Sequence, residues 1–171
     1  MEIVVVLLVM GFVVRGFQTR DERRRMALLG AHLGQYQIEK MMATLTEGYM
    51  RALGEADPNR KDQIWSMLST TELALGEQFQ RLAADFSGVD ATQTRINRLP
   101  LSIFYTGGLF PGATFDLRQA LVIHAQGLRQ AAANSALRSP KDKAFTVLAE
   151  MCLMQHTCHW FCKSKAVASA R

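Results

Sequence analysis

The chain has 171 residues, 49% of them apolar and 20% charged, and carries a formal net charge of +5. This length supports one hydrophobic core of useful size, and this composition excludes a disordered chain. The positive charge is modest and partly gathered behind one apolar run, which speaks for lipid headgroups and against nucleic acid as the partner.

Residues 3–14 form that run, Ile-Val-Val-Val-Leu-Leu-Val-Met-Gly-Phe-Val-Val. As a helix it would rise about 18 Å, against a hydrocarbon core of about 30 Å. Met1, Gly16, Phe17 and a snorkelling Arg15 extend it to about 25 Å, which a thinned bilayer accommodates. Glu2 at the front, and no small-x-small site before the arginines, argue against a cleaved signal peptide. Arg20, Arg23, Arg24 and Arg25 follow the run, the charge bias of an anchor whose C-terminal side is cytoplasmic. The pattern therefore predicts an N-terminal hydrophobic anchor helix within residues 1–19, with Ile3, Val6, Leu7, Met10, Val14 and Arg15 meeting the membrane. A single α-helical domain is expected over residues 20–171. The competing expectations are a buried strand or core helix, which the valines favour, and a processed start. Against the strand, no later segment reads as a pairing partner.

From Arg20 to about Leu53 the residues are strong helix formers, with no proline before Pro58. Met26, Leu29, Leu33 and Tyr36 share one face, whereas Ile38, Met41, Met42, Leu45 and Tyr49 fall nearly opposite. This predicts one long helix that either bends near Gly30 and Gly34 or packs on two sides. Gly54 is expected to close it in a left-handed cap, and Asp57-Pro58 to start the next helix as N-cap and first residue. There Ile64, Leu68, Leu75, Phe79, Leu82 and Phe86 lie within about 60° on a helical wheel, a core-facing stripe. Glu72 lies near that stripe and is expected to snorkel outward.

Ser87-Gly88 ends this helix, and Asp90 should cap a short one through Arg98. Residues 99–114 then carry two prolines and three glycines and read as irregular, yet they hold Ile103, Phe104, Tyr105, Leu109 and Phe110. An apolar loop of that length serves as a lid over the bundle or as a binding surface. Thr114 or Asp116 opens the next helix, whose buried stripe is read as Leu117, Leu121, His124 and Leu128. Ser139-Pro140-Lys141-Asp142 starts the last helix with a capping box, Ser139 as cap and Pro140 first in, and the helix is expected to run to about Lys165. That helix is apolar on most sides, so it is either central or shared with a partner.

The chain's three cysteines, Cys152, Cys158 and Cys162, lie in this helix beside His156 and His159. Pairs three or four apart share a helix face, as a zinc or haem site inside a bundle requires, and His124 or His32 could add a ligand from a facing helix. Core packing is the competing account, since free cysteine is among the most buried residue types. No Cys-x2-Cys knuckle, Cys-x-x-Cys-His order, Glu-x-x-His pair, Gly-x-Ser-x-Gly, His-Glu-x-x-His or Walker sequence occurs.

The expected fold is all-α, a bundle of four to five helices behind the anchor. The expected function is that of a membrane-tethered cytoplasmic protein that binds or scaffolds a partner, or a second copy of itself, with no catalysis and no cofactor. Phe104, Tyr105, Phe110, Trp160 and Phe161 are the expected interaction surface. The alternative is a metal- or haem-binding redox or sensor protein using Cys152, His156, Cys158, His159, Cys162 and His124.

Overall fold

The computed structural model describes residues 2–97 and 114–163. Its elements run α1 (Glu2–Leu33), α2 (Ile38–Gly54), α3 (Pro58–Ser87), the single turn α4 (Ala91–Thr94), β1 (Arg95–Asn97), β2 (Thr114–Asp116), α5 (Leu117–Ala133) and α6 (Pro140–Lys163). Among the described residues the protein is all-α apart from one short ladder. α1 runs unbroken across the expected boundary at residues 19 and 20.

The helix expected from Arg20 to Leu53 is broken rather than bent. Residues 34–37 form a tight turn, in which Gln35 N donates to the His32 carbonyl and Tyr36 N to that of Leu33. Two bonds hold the turn on α3: the Tyr36 hydroxyl donates to Asp85, and Gln37 N donates to Gln78 Oε1 at 2.8 Å. The break resolves the change of face in the sequence. Each apolar stripe turns inward separately, first Leu29 and then Ile38, Met42, Leu45, Tyr49 and Ala52.

α2 leaves at Gly54 through an extended Glu55 (φ −74°, ψ 127°), and the expected left-handed glycine cap is absent. That conformation appears instead at Asn134 (φ 49°), where the amide side chain ties back to the Arg138 backbone. The start of α3 follows its signals. Asp57 accepts from Asn59 N at 2.9 Å, and Pro58 takes the first helical position, where its missing N–H costs nothing. Leu68, Leu75, Phe79, Leu82 and Phe86 are all buried, and Ile64 packs at their edge.

Asp90 caps only one turn, accepting from Thr92 N at 2.7 Å. A helix through Arg98 is overruled by antiparallel pairing of Arg95 with Asp116, Ile96 with Phe115 and Asn97 with Thr114. Three-residue strands leave too little alternation to be legible in a sequence. Arg118 reinforces the corner, holding Asp116 through its guanidinium and donating Nη1 to the Val89 carbonyl at 3.1 Å.

α3 packs against both α2 and α5, and α5 against α6, while α1 docks through its last turns. Arg25 stands 5.9 Å from the centre of the Phe161 ring, Phe86 meets Phe161 edge-on at 6.4 Å, and His32 meets Phe86 edge-on at 5.1 Å. These contacts join α1, α3 and α6 at one end of the core. His32 Nδ1 donates to the Leu28 carbonyl at 2.9 Å, so this histidine is satisfied within its own helix.

Candidate functional site

The densest polar chemistry in the core lies between α2, α3 and α6. Glu72 is only 3% exposed, which overturns the expectation that it snorkels out. Its position on the buried stripe of α3 points the carboxylate inward, and two partners make that burial tolerable. Tyr49 of α2 donates its hydroxyl to Oε1 at 2.6 Å, and the Lys143 ammonium of α6 pairs with Oε2. Lys143 also donates to Ser69 Oγ at 3.3 Å.

Lys143 is placed by the start of α6. Asp142 N donates to Ser139 Oγ at 3.2 Å, and the Ser139 hydroxyl donates to Asp142 Oδ2 at 2.6 Å. This is the expected capping box. Burial, and then the neighbouring carboxylate, push the Tyr49 phenol far above its ordinary value of 10.0. The group is an ion pair with a phenol donor on the other carboxylate oxygen. The cluster joins α2, α3 and α6 at one point in the core.

The C-terminal cluster is dispersed by the fold. α6 turns Ala144, Val147, Met151, Met154 and Phe161 into the core. Cys152, His156 and His159 are exposed, whereas Cys158 and Cys162 are half-buried against the core. His124 lies beside, not on, the buried stripe of α5, which is Leu117, Leu121, Ala125, Leu128 and Ala132. It faces Thr157 rather than a thiol. Thr157 donates its hydroxyl to the Leu153 carbonyl at 3.0 Å, so its oxygen accepts from His124 Nε2–H at 2.9 Å. Burial holds the His124 imidazole below its ordinary value, with Glu150 pulling the other way. Among the described residues no three His, Cys, Asp or Glu side chains lie together as a metal ion would need.

Cys158 and Cys162 are nevertheless neighbours. Cys158 Sγ lies 4.0 Å from Met154 Sδ one turn earlier. Burial, then the second thiol, push Cys158 up to about 12, and burial also raises Cys162 against the pull of Arg25 and Lys163. Two of the six candidate ligands are thus brought together, with a thioether whose involvement no ligand motif in the sequence indicated.

Of the expected interaction surface, Phe161 is fully buried within the chain and supplies no surface, because it fills the space between Phe86 and Arg25. Trp160 is half-buried, and Phe104, Tyr105 and Phe110 lie outside the described residues. The exposed large apolar side chains instead include Met50, Met67, Ile123, Phe145 and Leu153.

The backbone of residues 3–14 belongs to α1, but the side chains of Ile3, Val6, Leu7, Met10, Val14 and Arg15 lie outside the described residues. Among the described residues no helix is long and apolar enough to cross a membrane. Behind the run, Arg20, Arg23 and Arg24 are exposed, and Arg25 pairs with Asp21 at 2.5 Å.

No protein-family model matches the chain, and neither a curated protein nor a solved structure matches it.

Proposed function

We propose that this protein is a membrane-tethered α-helical adaptor, held by its N-terminus with the bundle on the cytoplasmic side, which binds or scaffolds a protein partner without catalysis. The observation that carries this is the order of segments along α1. An apolar run, an exposed arginine collar at Arg20, Arg23 and Arg24, and a docking segment from Arg25 to Leu33 follow one another on a single helix. Arginines directly behind an apolar run favour retention on the cytoplasmic side and contact with anionic headgroups. Docking through Leu29, His32 and Arg25 would transmit the tether to the bundle without a flexible joint. Exposed Ile123, Phe145 and Leu153 on α5 and α6 support a partner-binding role.

The test is membrane fractionation with alkaline carbonate, comparing the full chain with one lacking residues 2–17. Retention of the full chain alone in the pellet is the expected result, with the shortened chain soluble and still helical. Release of both chains into the supernatant, with loss of helicity in the shortened one, would assign the run to the core and overturn the tether.

A further inference from the structure

We propose that Cys158 and Cys162, with Met154 packed beside them, form a two-coordinate binding site for a soft monovalent metal ion of the copper(I) class. Cys158 and Cys162 stand at i and i+4 on α6, where side chains are neighbours, and Met154 stands one turn before Cys158. Met154 is buried, both thiols are half-buried, and Cys158 Sγ already touches Met154 Sδ at 4.0 Å.

Geometry separates metal binding from the commonest alternative for two adjacent thiols. Helical i, i+4 side chains hold their Cβ atoms about 5–6 Å apart, whereas a disulfide needs about 3.5–4.5 Å. That gap disfavours direct oxidation. A thiolate–metal bond of about 2.3 Å, the length found at zinc, lets a sulfur–metal–sulfur bridge span about 4.6 Å. The same helix that disfavours the disulfide thus accommodates an ion between its two sulfurs.

The donor set selects the ion. Thiolate and thioether are soft ligands, which favour copper(I) over magnesium, calcium or manganese. Structural zinc takes four ligands, and among the described residues no three His, Cys, Asp or Glu side chains gather here. A monovalent d10 ion accepts two sulfurs, which is what the thiol pair offers. Charge is also accommodated. Binding releases two thiol protons to solvent and moves no electron, leaving one net negative charge for two thiolates and one monovalent cation. The Arg25 guanidinium, which already acts on Cys162 from above the Phe161 ring, lies on the side where that charge forms.

The site is independent of the membrane tether. It is tested on the full chain in detergent micelles, reduced and kept free of oxygen, by competition for copper(I) against the chromogenic chelator bicinchoninate. Wild type is expected to withdraw one equivalent. Cys158→Ser and Cys162→Ser should each weaken binding by about tenfold or more, and Met154→Leu by less. Cys152→Ser, which alters an exposed thiol, should leave binding unchanged. Helical circular dichroism identifies any variant that fails to fold, and half-exposed Cys162 carries the test alone if Cys158→Ser does. Failure of the wild type to withdraw copper(I), equal loss with Cys152→Ser, or equally tight binding of zinc(II) would each overturn the assignment.

Discussion

Lys143, in the first turn of α6, pairs with the carboxylate of Glu72, midway along α3, and both side chains are almost entirely withdrawn from water. Tyr49 donates to the other carboxylate oxygen, so three helices meet at one ion pair. Removing one member should cost far more than removing all. Glu72→Gln or Lys143→Met is expected to destabilise by about 3–5 kcal/mol, because each strands a buried charge. Tyr49→Phe, which deletes one bond to a charged acceptor, should cost about 1.5–3 kcal/mol. The triple variant Tyr49→Phe, Glu72→Leu, Lys143→Met should recover most of the loss. Urea unfolding of the four proteins decides it, and equal losses in single and triple variants would contradict it.

Tyr49 also sets an alkaline limit. Its folded value lies above the ordinary 10.0, so its contribution is complete below pH 10 and is lost progressively as pH rises beyond it. In that range the unfolded chain ionises its tyrosine while the folded one cannot. Wild type should therefore lose more stability than Tyr49→Phe between about pH 9.5 and 11, where the unfolded tyrosine begins to ionise. Parallel curves would refute the assignment.

His124 acts in the opposite direction. Its folded value lies below 6.5, so its neutral form contributes fully above pH 6.5, and that contribution fades as pH falls through the folded value. His124→Gln should flatten the fall in Tm between roughly pH 7 and 5 relative to wild type. Glu150 and Thr157 are the groups that face the ring from α6, and Glu150→Gln should steepen the fall.

Two helix-interior glycines should respond oppositely to alanine. At Gly76 an added Cβ would lie 3.5 Å from the Arg129 Cα, an ordinary contact, so Gly76→Ala should stabilise by up to about 1 kcal/mol through helix propensity. At Gly48 the same atom would fall 2.3 Å from Leu68 Cδ2, a buried side chain that must repack. Gly48→Ala should destabilise by about 1–3 kcal/mol. Thermal melts of both variants measure the difference.

Leu137 holds φ 50° while 90% exposed, so its side chain gains little from burial and its backbone occupies a region unfavourable to it. Leu137→Gly should raise stability by up to about 1 kcal/mol, read as a small increase in Tm.

Helix identity was legible where local chemistry is strong. Asp57-Pro58 and the Ser139 to Asp142 box mark starts because each supplies acceptors for N–H groups that a helix leaves unpaired. The α3 stripe was legible because one face repeats over about six turns, from Ile64 to Phe86. Glu72 was not, since a carboxylate on a stripe snorkels or pairs according to what stands opposite. Its partner Lys143 is 71 positions away and carries no signal of its own. Among the sulfurs, spacing named the neighbours, but only packing chose Cys158 and Cys162 over exposed Cys152, because α6 is apolar on nearly every side.

The amino-acid sequence by itself determined the all-α class, the starts of α3 and α6, and the order of apolar run, arginines and bundle, all of which depend on residues within a few turns of one another. Only the tertiary structure decided that the first long helix breaks at residues 34–37, that β1 pairs with β2, and that Glu72 is buried. Each of these is set by a partner distant in the chain. The break answers to Asp85 and Gln78, the ladder to a strand on the far side of residues 98–113, and the buried carboxylate to Tyr49 and Lys143.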